Sequence, residues 1–591
     1  MNHLSQIKQA LADHHLSATA ADHITLWLSE AKFSEYLPEL KKMIEQADWK
    51  TLEDNFFQII PFGTGGRRGL VGLGSNRINK VTIGESAQGL ADYLLTLGSD
   101  VKAQGIVIAN DTRLTSVKFS QYVASIFAAN NFITYLFDDH RTTPELSFAV
   151  RHLQTAAGAV ISASHNPPTD NGFKVYWSDG GQIVAPHDAQ LMTFGSRVKT
   201  IKTTDFAAAK ESGQIKIIGP EVDQAYITAL ANESLHSSRS AVIAYSPLHG
   251  TGTKSVLPVL KSVGFKDINL VEQQLSPDGH FPNIAKNIPN PEVISASDEV
   301  TKLAQATQSD IAITTDPDAD RLGVIAHDSA GHYQFLTGNQ IAALICFYVL
   351  DQLKKQNKLK TNHFLVKTIV TTDFITALAQ DFGVKIYDNI LIGFKYVAEL
   401  IHAQQDLGQE TFLFGGEESH GILKGSYTRD KDAAIAALMI SEFTSLLKDN
   451  HTNLVVQLDQ LYRRYGLYWE TLDTIVYPGA TGGQKMAHIM SQLRAHSPTT
   501  LGTEPVLDTR DRLTSHIGTK GDVLIYYLSP DQQNRLTIRP SGTEPKIKVY
   551  TQLHQPLDPK ISDADLSKAK QAATDHAKNL TQSLLAYTAK L

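Results

Sequence analysis

The chain has 591 residues, of which 42% are hydrophobic and 19% are charged. This ordinary globular composition excludes collagen-like and largely disordered proteins, and at about 150 residues per domain the length predicts about four domains. Lys and Arg number 54 against 61 Asp and Glu, a net charge of −7. The chain therefore has no strong positive field for binding nucleic acid or anionic lipid with its whole surface.

The chain has a single cysteine, Cys346, which excludes an intrachain disulfide and a cysteine-based zinc site. The apolar run around it ends at Asp351 after ten residues, whereas a membrane span needs about 20. The first fifteen residues lack the apolar core of a signal peptide. We expect a soluble, cytoplasmic protein without membrane contacts.

The order of the predicted elements divides the chain into four parts. About the first 55 residues predict a packed helical extension, because Leu, Ala and Trp recur at three-to-four spacing. From about 100 to 460, short apolar runs alternate with helical segments, which predicts mostly parallel sheets covered by helices. The last 120 residues predict a separate α+β domain that ends in a polar helix at about 563–588. The sequence predicts four domains, at 1–220, 221–335, 336–465 and 466–591.

Residues 161–177 carry a serine at the junction between a predicted strand and a loop. A rigid strand end holds Ser164 while its oxygen stays exposed, which suits a nucleophile. His165 follows directly, and Lys174 lies beyond a turn. The setting is not the Gly-x-Ser-x-Gly elbow of a hydrolase. The alternative is a turn whose hydroxyl groups satisfy backbone donors and acceptors.

Residues 314–324 place Asp316, Asp318 and Asp320 at alternate positions after a predicted strand. Three close carboxylates suit Mg²⁺ or Ca²⁺, and they would repel one another without a cation. An EF-hand loop is excluded, because its sixth and twelfth positions would be Arg321 and His327. The alternative is an acidic surface turn.

Two further segments follow predicted strands. Residues 414–421 include Glu417, Glu418, Ser419 and His420, which suit the hydroxyl groups of a sugar. The alternative is that Ser419 caps a helix or that the segment is a solvated turn. Residues 539–546 combine Gly542 and its backbone donors with Arg539, Ser541, Thr543 and Lys546. That combination suits a phosphate group, and the alternative is a plain hairpin turn.

The four segments are expected to line one cleft. Each follows a strand of a different predicted unit, and α/β proteins bind ligands beyond the carboxyl ends of their strands. ATP and NAD are not supported as ligands. The spacing of Gly63, Gly65 and Gly69 does not match the dinucleotide motif, and the glycine-rich run at 250–255 lacks the Gly-Lys pair of a P-loop.

Six motifs occur in the order found in one family: FGTGGRRG, SASHNPP with NGFK, DPDADR, GFK at 393–395, GEESHG and RPSGTEPK. On these motifs the chain resembles the alpha-D-phosphohexomutases, which are phosphoglucomutases and phosphomannomutases. Its length and the segments RTTPELSFAVRHL and SPLHGTG are most similar to the long bacterial phosphoglucomutases. The resemblance implies an α/β fold of three similar domains with mixed sheets and a C-terminal α+β domain around a central cleft.

The resemblance also implies the activity. It is the interconversion of α-D-glucose 1-phosphate and glucose 6-phosphate through a phosphoserine enzyme, with glucose 1,6-bisphosphate as intermediate and activator and one Mg²⁺ per site. The fourth domain is expected to close over the substrate. A phosphomannomutase or phosphopentomutase on the same scaffold is the nearest alternative. A metal-dependent phosphohydrolase and a non-catalytic sugar-phosphate sensor are the others. Sugar phosphates are the expected partners of a monomer or small homo-oligomer.

Motif positions carry the implied roles to residues of this chain. The nucleophile and metal group is Ser164, Asp316, Asp318 and Asp320. The groups implied near the transferring phosphate are Arg68, Lys174, Arg321 and His165. Those implied for the sugar and the second phosphate are Glu417, Ser419, Lys395, Arg539, Ser541, Gly542 and Thr543. Arg68 is preferred to Arg67, Ser162 replaces a common threonine, and no role is transferred to His420.

Overall fold

The computed structural model describes residues 2–63, 66–477, 482–515, 519–541 and 546–590. The chain begins with a helical extension, as its periodicity predicts. Trp27 stacks on Phe33 at 4.4 Å in the core of the extension, which also packs against Val81 of the following unit. Lys32 donates to Glu85 of that unit at 2.9 Å. The helices are α1 (His3–Ala12), α2 (Ala18–Ser29), α3 (Leu37–Glu45) and α4 (Trp49–Phe56), with a 3₁₀ turn at Ala31–Tyr36.

The first α/β unit is built on a seven-stranded mixed sheet. Its order is β1-β2-β6-β5-β3-β4-β7, in which β5, β3, β4 and β7 run parallel, and β1, β2 and β6 join by antiparallel pairing. The strands are β1 (Phe62–Gly63), β2 (Gly66–Leu70), β3 (Ile106–Asn110), β4 (Thr134–Phe137), β5 (Ala157–Ile161), β6 (Asp170–Trp177) and β7 (Ile215–Ile218). The helices are α5 (Lys80–Leu95), α6 (Val101–Gln104), α7 (Ser116–Ala129), α8 (Thr143–His152), α9 (His187–Ser196) and α10 (Phe206–Glu211).

The second unit has a five-stranded sheet of order β12-β11-β10-β8-β9. The strands β10, β8 and β9 are parallel, and β11 and β12 are antiparallel. The central strand β10 is buried along its whole length, which suits its sequence of three apolar residues and two threonines without a charge. The elements are α11 (Pro220–Ala231), β8 (Ile243–Ser246), α12 (Val256–Ser262), β9 (Ile268–Leu270), α13 (Asp298–Thr307), β10 (Ile311–Thr315), β11 (Leu322–His327) and β12 (Tyr333–Leu336).

The third unit has a four-stranded sheet of order β14-β13-β15-β16, with β16 antiparallel to the rest. A π-helical turn at His402–Asp406 follows its helix α16. The elements are α14 (Gly338–Lys355), β13 (His363–Thr368), α15 (Phe374–Phe382), β14 (Lys385–Ile390), α16 (Phe394–Ile401), β15 (Thr411–Glu417), β16 (Gly421–Lys424) and α17 (Ala433–Asp449).

The fourth unit differs from the others, because its five-stranded sheet is entirely antiparallel. Helix α18 (Leu454–Tyr465) leads into it, and α20 (Asp563–Thr588) closes the chain at the predicted bounds. The strands of the sheet are β17 (Leu467–Val476), β20 (Asp508–Asp511), β21 (Leu524–Tyr527), β22 (Arg535–Pro540) and β23 (Lys546–Gln555). The remaining elements are α19 (Gly482–Ala495) and the small pair β18 (Thr500–Leu501) and β19 (Glu504–Pro505).

Burial explains how the units hold together. One large apolar core runs through the first three units, and a separate cluster joins the third unit to the fourth through Ile369, Leu391 and Ile525. The three α/β sheets are mixed, as the family resemblance implies, so the expectation of mostly parallel strands holds only for their centres. In the described ranges, no helix is both long and apolar enough to cross a membrane.

Candidate active site

Loops from all four units meet at one cavity of about 330 Å³. Arg68 and Ser164 line it from the first unit, Arg321 from the second, Glu417 from the third and Arg539 from the fourth. Ser164 and Arg321 follow strands and Glu417 ends one, which is where α/β proteins place their ligands, whereas Arg68 lies within β2 and Arg539 within β22. The sequence expectation of one shared cleft is met by this arrangement.

Ser164 lies in the loop between β5 and β6 and touches the second unit. Its hydroxyl donates to Asp316 Oδ2 at 2.6 Å. His165 Nδ1 lies 3.1 Å from the hydroxyl oxygen of Ser164. The backbone of Ser164 has φ +51°, a left-handed conformation that is uncommon for a residue with a side chain. Burial lowers the pKa of His165, and the cations Arg321 and Arg68 lower it further. The imidazole is therefore neutral at pH 7.

The three aspartates form a compact buried group after β10. One carboxylate oxygen from each of Asp316, Asp318 and Asp320 lies within 4.8 Å of the others. Burial and the negative charges of Asp320 and Asp318 raise the pKa of Asp316 well above its usual range. A cation would remove this repulsion.

The oxygens left over by hydrogen bonding fit a metal ion. Asp318 Oδ1 and Asp320 Oδ1 are buried and have no hydrogen-bond partner among the residues described. Buried polar atoms of this kind are normally satisfied, so an unseen partner is expected. Carboxylate oxygens are the ligands that Mg²⁺ prefers, and the residues therefore fit Mg²⁺.

The other oxygen of Asp318 is held by the first unit. Asp318 Oδ2 accepts from Lys174 Nζ at 2.6 Å, from Thr143 Oγ1 at 2.8 Å and from Ser162 Oγ at 3.2 Å. Burial opposes both charged groups, yet their mutual attraction lowers the pKa of Asp318 and raises that of Lys174. Three donors on Oδ2 leave Oδ1 as the oxygen available to a cation.

Two further charged residues complete this end of the cavity. Arg321 forms an ion pair with Glu292, and Lys431 Nζ lies 2.8 Å from Asp320 Oδ2. Burial disfavours the charged form of Lys431, but Asp320 and Asp430 outweigh it and raise its pKa. The sequence prediction included Arg321 but missed Glu292 and Lys431.

Glu417 is the last residue of β15 and lines the cavity from the third unit. Its Oε1 accepts the backbone N–H of Gly393 at 2.9 Å. Burial raises the pKa of Glu417 to about 7, although Lys431 acts in the opposite direction. Ser419 lies in the hairpin turn between β15 and β16, so the alternative that it caps a helix is wrong.

Two residues of the third unit point elsewhere. Lys395 was expected near the sugar, but it does not line the cavity, and its ammonium lies 3.7 Å from Asp188 of α9. The reason is its place in the first turn of α16, one residue past Phe394, which does line the cavity. His420 Nδ1 lies 2.9 Å from the carbonyl oxygen of Leu322, so it joins the third unit to the metal loop.

The fourth unit contributes cations at the opposite wall. Arg539, the last residue but one of β22, pairs with Lys548 of β23 in the sheet register, and Ser541 and Lys546 also line the cavity. Gly542 and Thr543 lie outside the described residues. Lys548 was missed by the sequence prediction. The period-two pattern of Lys546 and Lys548 in a strand would have placed both on one face.

Comparisons with known proteins agree with this geometry. The family model "Phosphoglucomutase/phosphomannomutase, alpha/beta/alpha domain" matches in three parts, domain I at 60–200, domain II at 224–331 and domain III at 337–465. The fold and the site thus define a multidomain α/β enzyme. The chain belongs to the phosphoglucomutase/phosphomannomutase family.

Individual relatives agree. Phosphoglucomutase from Staphylococcus aureus strain N315 is 34% identical over 552 residues, which cover 90% of this chain and 95% of the relative. The protein of strain MRSA252 is 35% identical over the same coverage. In fold, the chain is similar to pp63/parafusin, the phosphoglucomutase of Paramecium, with a TM-score of 0.63 at 17% identity over 88% of this chain and 95% of that one. A Burkholderia thailandensis family member gives 0.61 at 16% identity, over 88% and 97%.

Proposed function

We propose that this protein is a phosphoglucomutase that interconverts α-D-glucose 1-phosphate and glucose 6-phosphate. The observation that carries the proposal is the 2.6 Å hydrogen bond between Ser164 and Asp316, which joins the nucleophile loop of one unit to the carboxylate group of the next. The Staphylococcus aureus relatives, named phosphoglucomutase, support the choice of glucose.

In the proposed reaction, Ser164 carries a phosphoryl group. The bond between phosphorus and the Ser164 oxygen breaks, a bond from phosphorus to the oxygen of the free sugar hydroxyl forms, and the hydroxyl proton passes to the Ser164 oxygen. The product of this half-reaction is glucose 1,6-bisphosphate. The bisphosphate then turns, and its other phosphoryl group returns to Ser164. Serine recovers its phosphoryl group, so no phosphate is released.

Asp316, Asp318 and Asp320 would hold Mg²⁺ together with a phosphate oxygen on Ser164. When bound, the ion supplies positive charge that stabilises the transferring phosphoryl group. Arg68, Lys174 and Arg321 add side-chain charge at the same end. Because His165 is neutral, it can offer either a lone pair or an N–H to the Ser164 oxygen at 3.1 Å.

The opposite wall of the cavity is proposed to bind the parts of the substrate that do not react. Arg539, Ser541, Lys546 and Lys548 line the cavity and suit the second phosphate. The family motif implies the same role for Gly542 and Thr543. Glu417 and Ser419 also line the cavity, and we propose that they bind the sugar hydroxyls. Binding at this wall orients the substrate, and orientation can supply several kcal/mol of barrier lowering. We also propose that the fourth unit moves to admit the substrate and then excludes water.

The test is a panel of sugar 1-phosphates. We expect kcat/KM to be highest for glucose 1-phosphate, ahead of mannose 1-phosphate and of ribose and deoxyribose 1-phosphates, and to depend on added glucose 1,6-bisphosphate. A higher kcat/KM for mannose or a pentose would replace the proposal with the corresponding mutase. Release of inorganic phosphate at the rate of turnover would indicate a phosphohydrolase, and binding without turnover a sensor.

A further inference from the structure

Arg113 is a buried arginine in the loop between β3 and α7, outside the sets described above. Its side chain is 2% exposed, and its guanidinium donates to four backbone carbonyl oxygens. Nη1 donates to Pro167 at 2.7 Å and to Asp170 at 2.9 Å. Nη2 donates to Ser164 and to Asn166, both at 2.5 Å. Asp111 Oδ2 lies 3.3 Å from Nε and balances the charge.

Three of these carbonyl groups lie in the loop that carries the nucleophile, and the fourth belongs to Asp170, where that loop enters β6. This loop needs support, because the positive φ of Ser164 is unfavourable for a residue with a β-carbon. From the other side, Ser162 Oγ accepts the backbone N–H of Ser164 at 2.8 Å. Arg113 and Ser162 together hold both peptide groups of Ser164.

The second unit packs directly on Arg113. The ring of Phe281 lies 5.2 Å from the guanidinium carbon, in the geometry of a cation–π contact. Gly279 lies so close that an added β-carbon would be 2.5 Å from the backbone nitrogen of Leu114 and 2.9 Å from Arg113. The segment that carries both residues continues to Glu292 in the cavity wall.

We infer that Arg113 is a positioning residue for phosphoryl transfer, which fixes the main chain of Ser164 and locks it in place against the second unit. It does not touch the substrate; it acts through the loop. The inference rests on the proposed mutase function and deepens it. The planar guanidinium of arginine has five N–H groups and can donate to four carbonyl groups. A lysine ammonium keeps the positive charge but has only three N–H groups, so it cannot make all four hydrogen bonds.

The experiment compares Arg113→Lys with a matched control, Arg239→Lys. Arg239 also binds backbone carbonyl groups, those of Val263 and Ser238, and lies 5.1 Å from the ring of Phe265. It does not line the cavity. We expect Arg113→Lys to lower kcat about 10²-fold, with KM for glucose 1-phosphate within about threefold of wild type, since small misplacements of reacting groups have effects of that size. We expect Arg239→Lys to leave both unchanged.

A second pair covers the case in which Arg113→Lys does not fold. Phe281→Leu leaves the four hydrogen bonds from Arg113 to carbonyl groups in place and removes only the aromatic ring. Phe265→Leu likewise removes only the ring that contacts the control residue, Arg239. We expect a loss in kcat of about threefold to tenfold for Phe281→Leu alone. Phosphoserine hydrolysis without sugar, measured by release of labelled phosphate, should accelerate in Phe281→Leu but not in Phe265→Leu.

Two outcomes separate this inference from the function on which it rests. If the wild type is a mutase but the Arg113 and Phe281 variants match their controls in kcat and in phosphoserine hydrolysis, the positioning role is wrong and the function stands. If the wild type shows no mutase activity, the proposed function itself fails.

Discussion

The two ends of the cavity are built differently. At the Ser164 end, the serine, the three aspartates and Lys174 are all buried. Hydrogen bonds from Ser164 to Asp316 and from Lys174 to Asp318 fix the orientation of these side chains. At the other end, Arg539, Ser541 and Lys548 are only half-buried and lie on one hairpin of an antiparallel sheet. Buried groups that hydrogen bonds hold in place suit bond making, which tolerates little displacement. Half-exposed cations on a separate unit suit capture and release of a phosphate.

The comparison predicts the largest effect at the nucleophile. Ser164→Ala should lower kcat by at least about 10³-fold, because it removes the hydroxyl that carries the phosphoryl group in the proposed reaction. Intact mass should show one phosphate on the wild type after incubation with glucose 1,6-bisphosphate and none on the variant. Binding of glucose 1-phosphate should persist, because the opposite wall is intact. Wild-type activity in Ser164→Ala would contradict the mechanism.

At the binding end, the effect should fall mainly on KM. Arg539→Ala removes a charge-assisted contact to phosphate worth about 2 kcal/mol, so KM for glucose 1-phosphate should rise about 30-fold. Phosphoserine on Ser164 should remain intact in this variant. Arg510→Ala, at a half-buried arginine of the same sheet that does not line the cavity, is the control and should leave KM unchanged. Equal changes in KM for Arg539→Ala and Arg510→Ala would contradict the assignment of this end of the cavity to phosphate binding.

Thr143 tests whether the metal site depends on hydrogen bonds from the first unit. Thr143→Val removes the donor to Asp318 Oδ2 with little change in shape, and affinity for Mn²⁺ should fall about tenfold, as for other partners of metal ligands. Electron paramagnetic resonance of free Mn²⁺ measures this without turnover. Thr143→Ser retains the hydroxyl and should bind as wild type does. Equal affinities for all three proteins would rule out the role of the hydroxyl.

The smallest expected effect is the pH dependence from Glu417. Its pKa is raised to about 7 by burial, so the carboxyl is protonated below pH 7 and becomes an anion above it. The anion accepts stronger hydrogen bonds from sugar hydroxyls, so KM should fall as pH rises from about 6 to about 8. In Glu417→Gln this component is absent. The ratio of the two KM profiles, in which the ionisation of the substrate cancels, should change about threefold to tenfold. A flat ratio would contradict the assignment.

The part of the site that sequence could predict is the part that follows strand ends. Ser164, Asp316 and Glu417 each follow or end an apolar run, and the topology of α/β units brings such positions to one edge. Lys431 and Arg113 were missed for a physical reason. Lys431 reaches Asp320 from a neighbouring unit, and Arg113 acts on backbone carbonyl groups, which carry no residue-specific signal. Lys395 shows the converse, because a matching motif did not fix which way its side chain points.

The same limit applies to the fold. The bounds of α20 follow from its polar pattern, and the mixed character of the sheets follows from the family resemblance. The left-handed backbone of Ser164 could not be read from the sequence, since serine does not require it. Only its environment makes that conformation stable, because Arg113 donates to the carbonyl oxygen of Ser164 and Ser162 Oγ accepts its N–H.

The most direct test of the central claim follows the phosphoryl group itself. The enzyme is labelled with radioactive phosphate on Ser164, freed of bisphosphate and mixed with excess glucose 1-phosphate for a single turnover. We predict that the label moves to glucose 1,6-bisphosphate and then to glucose 6-phosphate, with the loss from Ser164 matched by the gain on sugar. Recovery of the label as inorganic phosphate, or failure of Ser164 to take up label, would contradict the account.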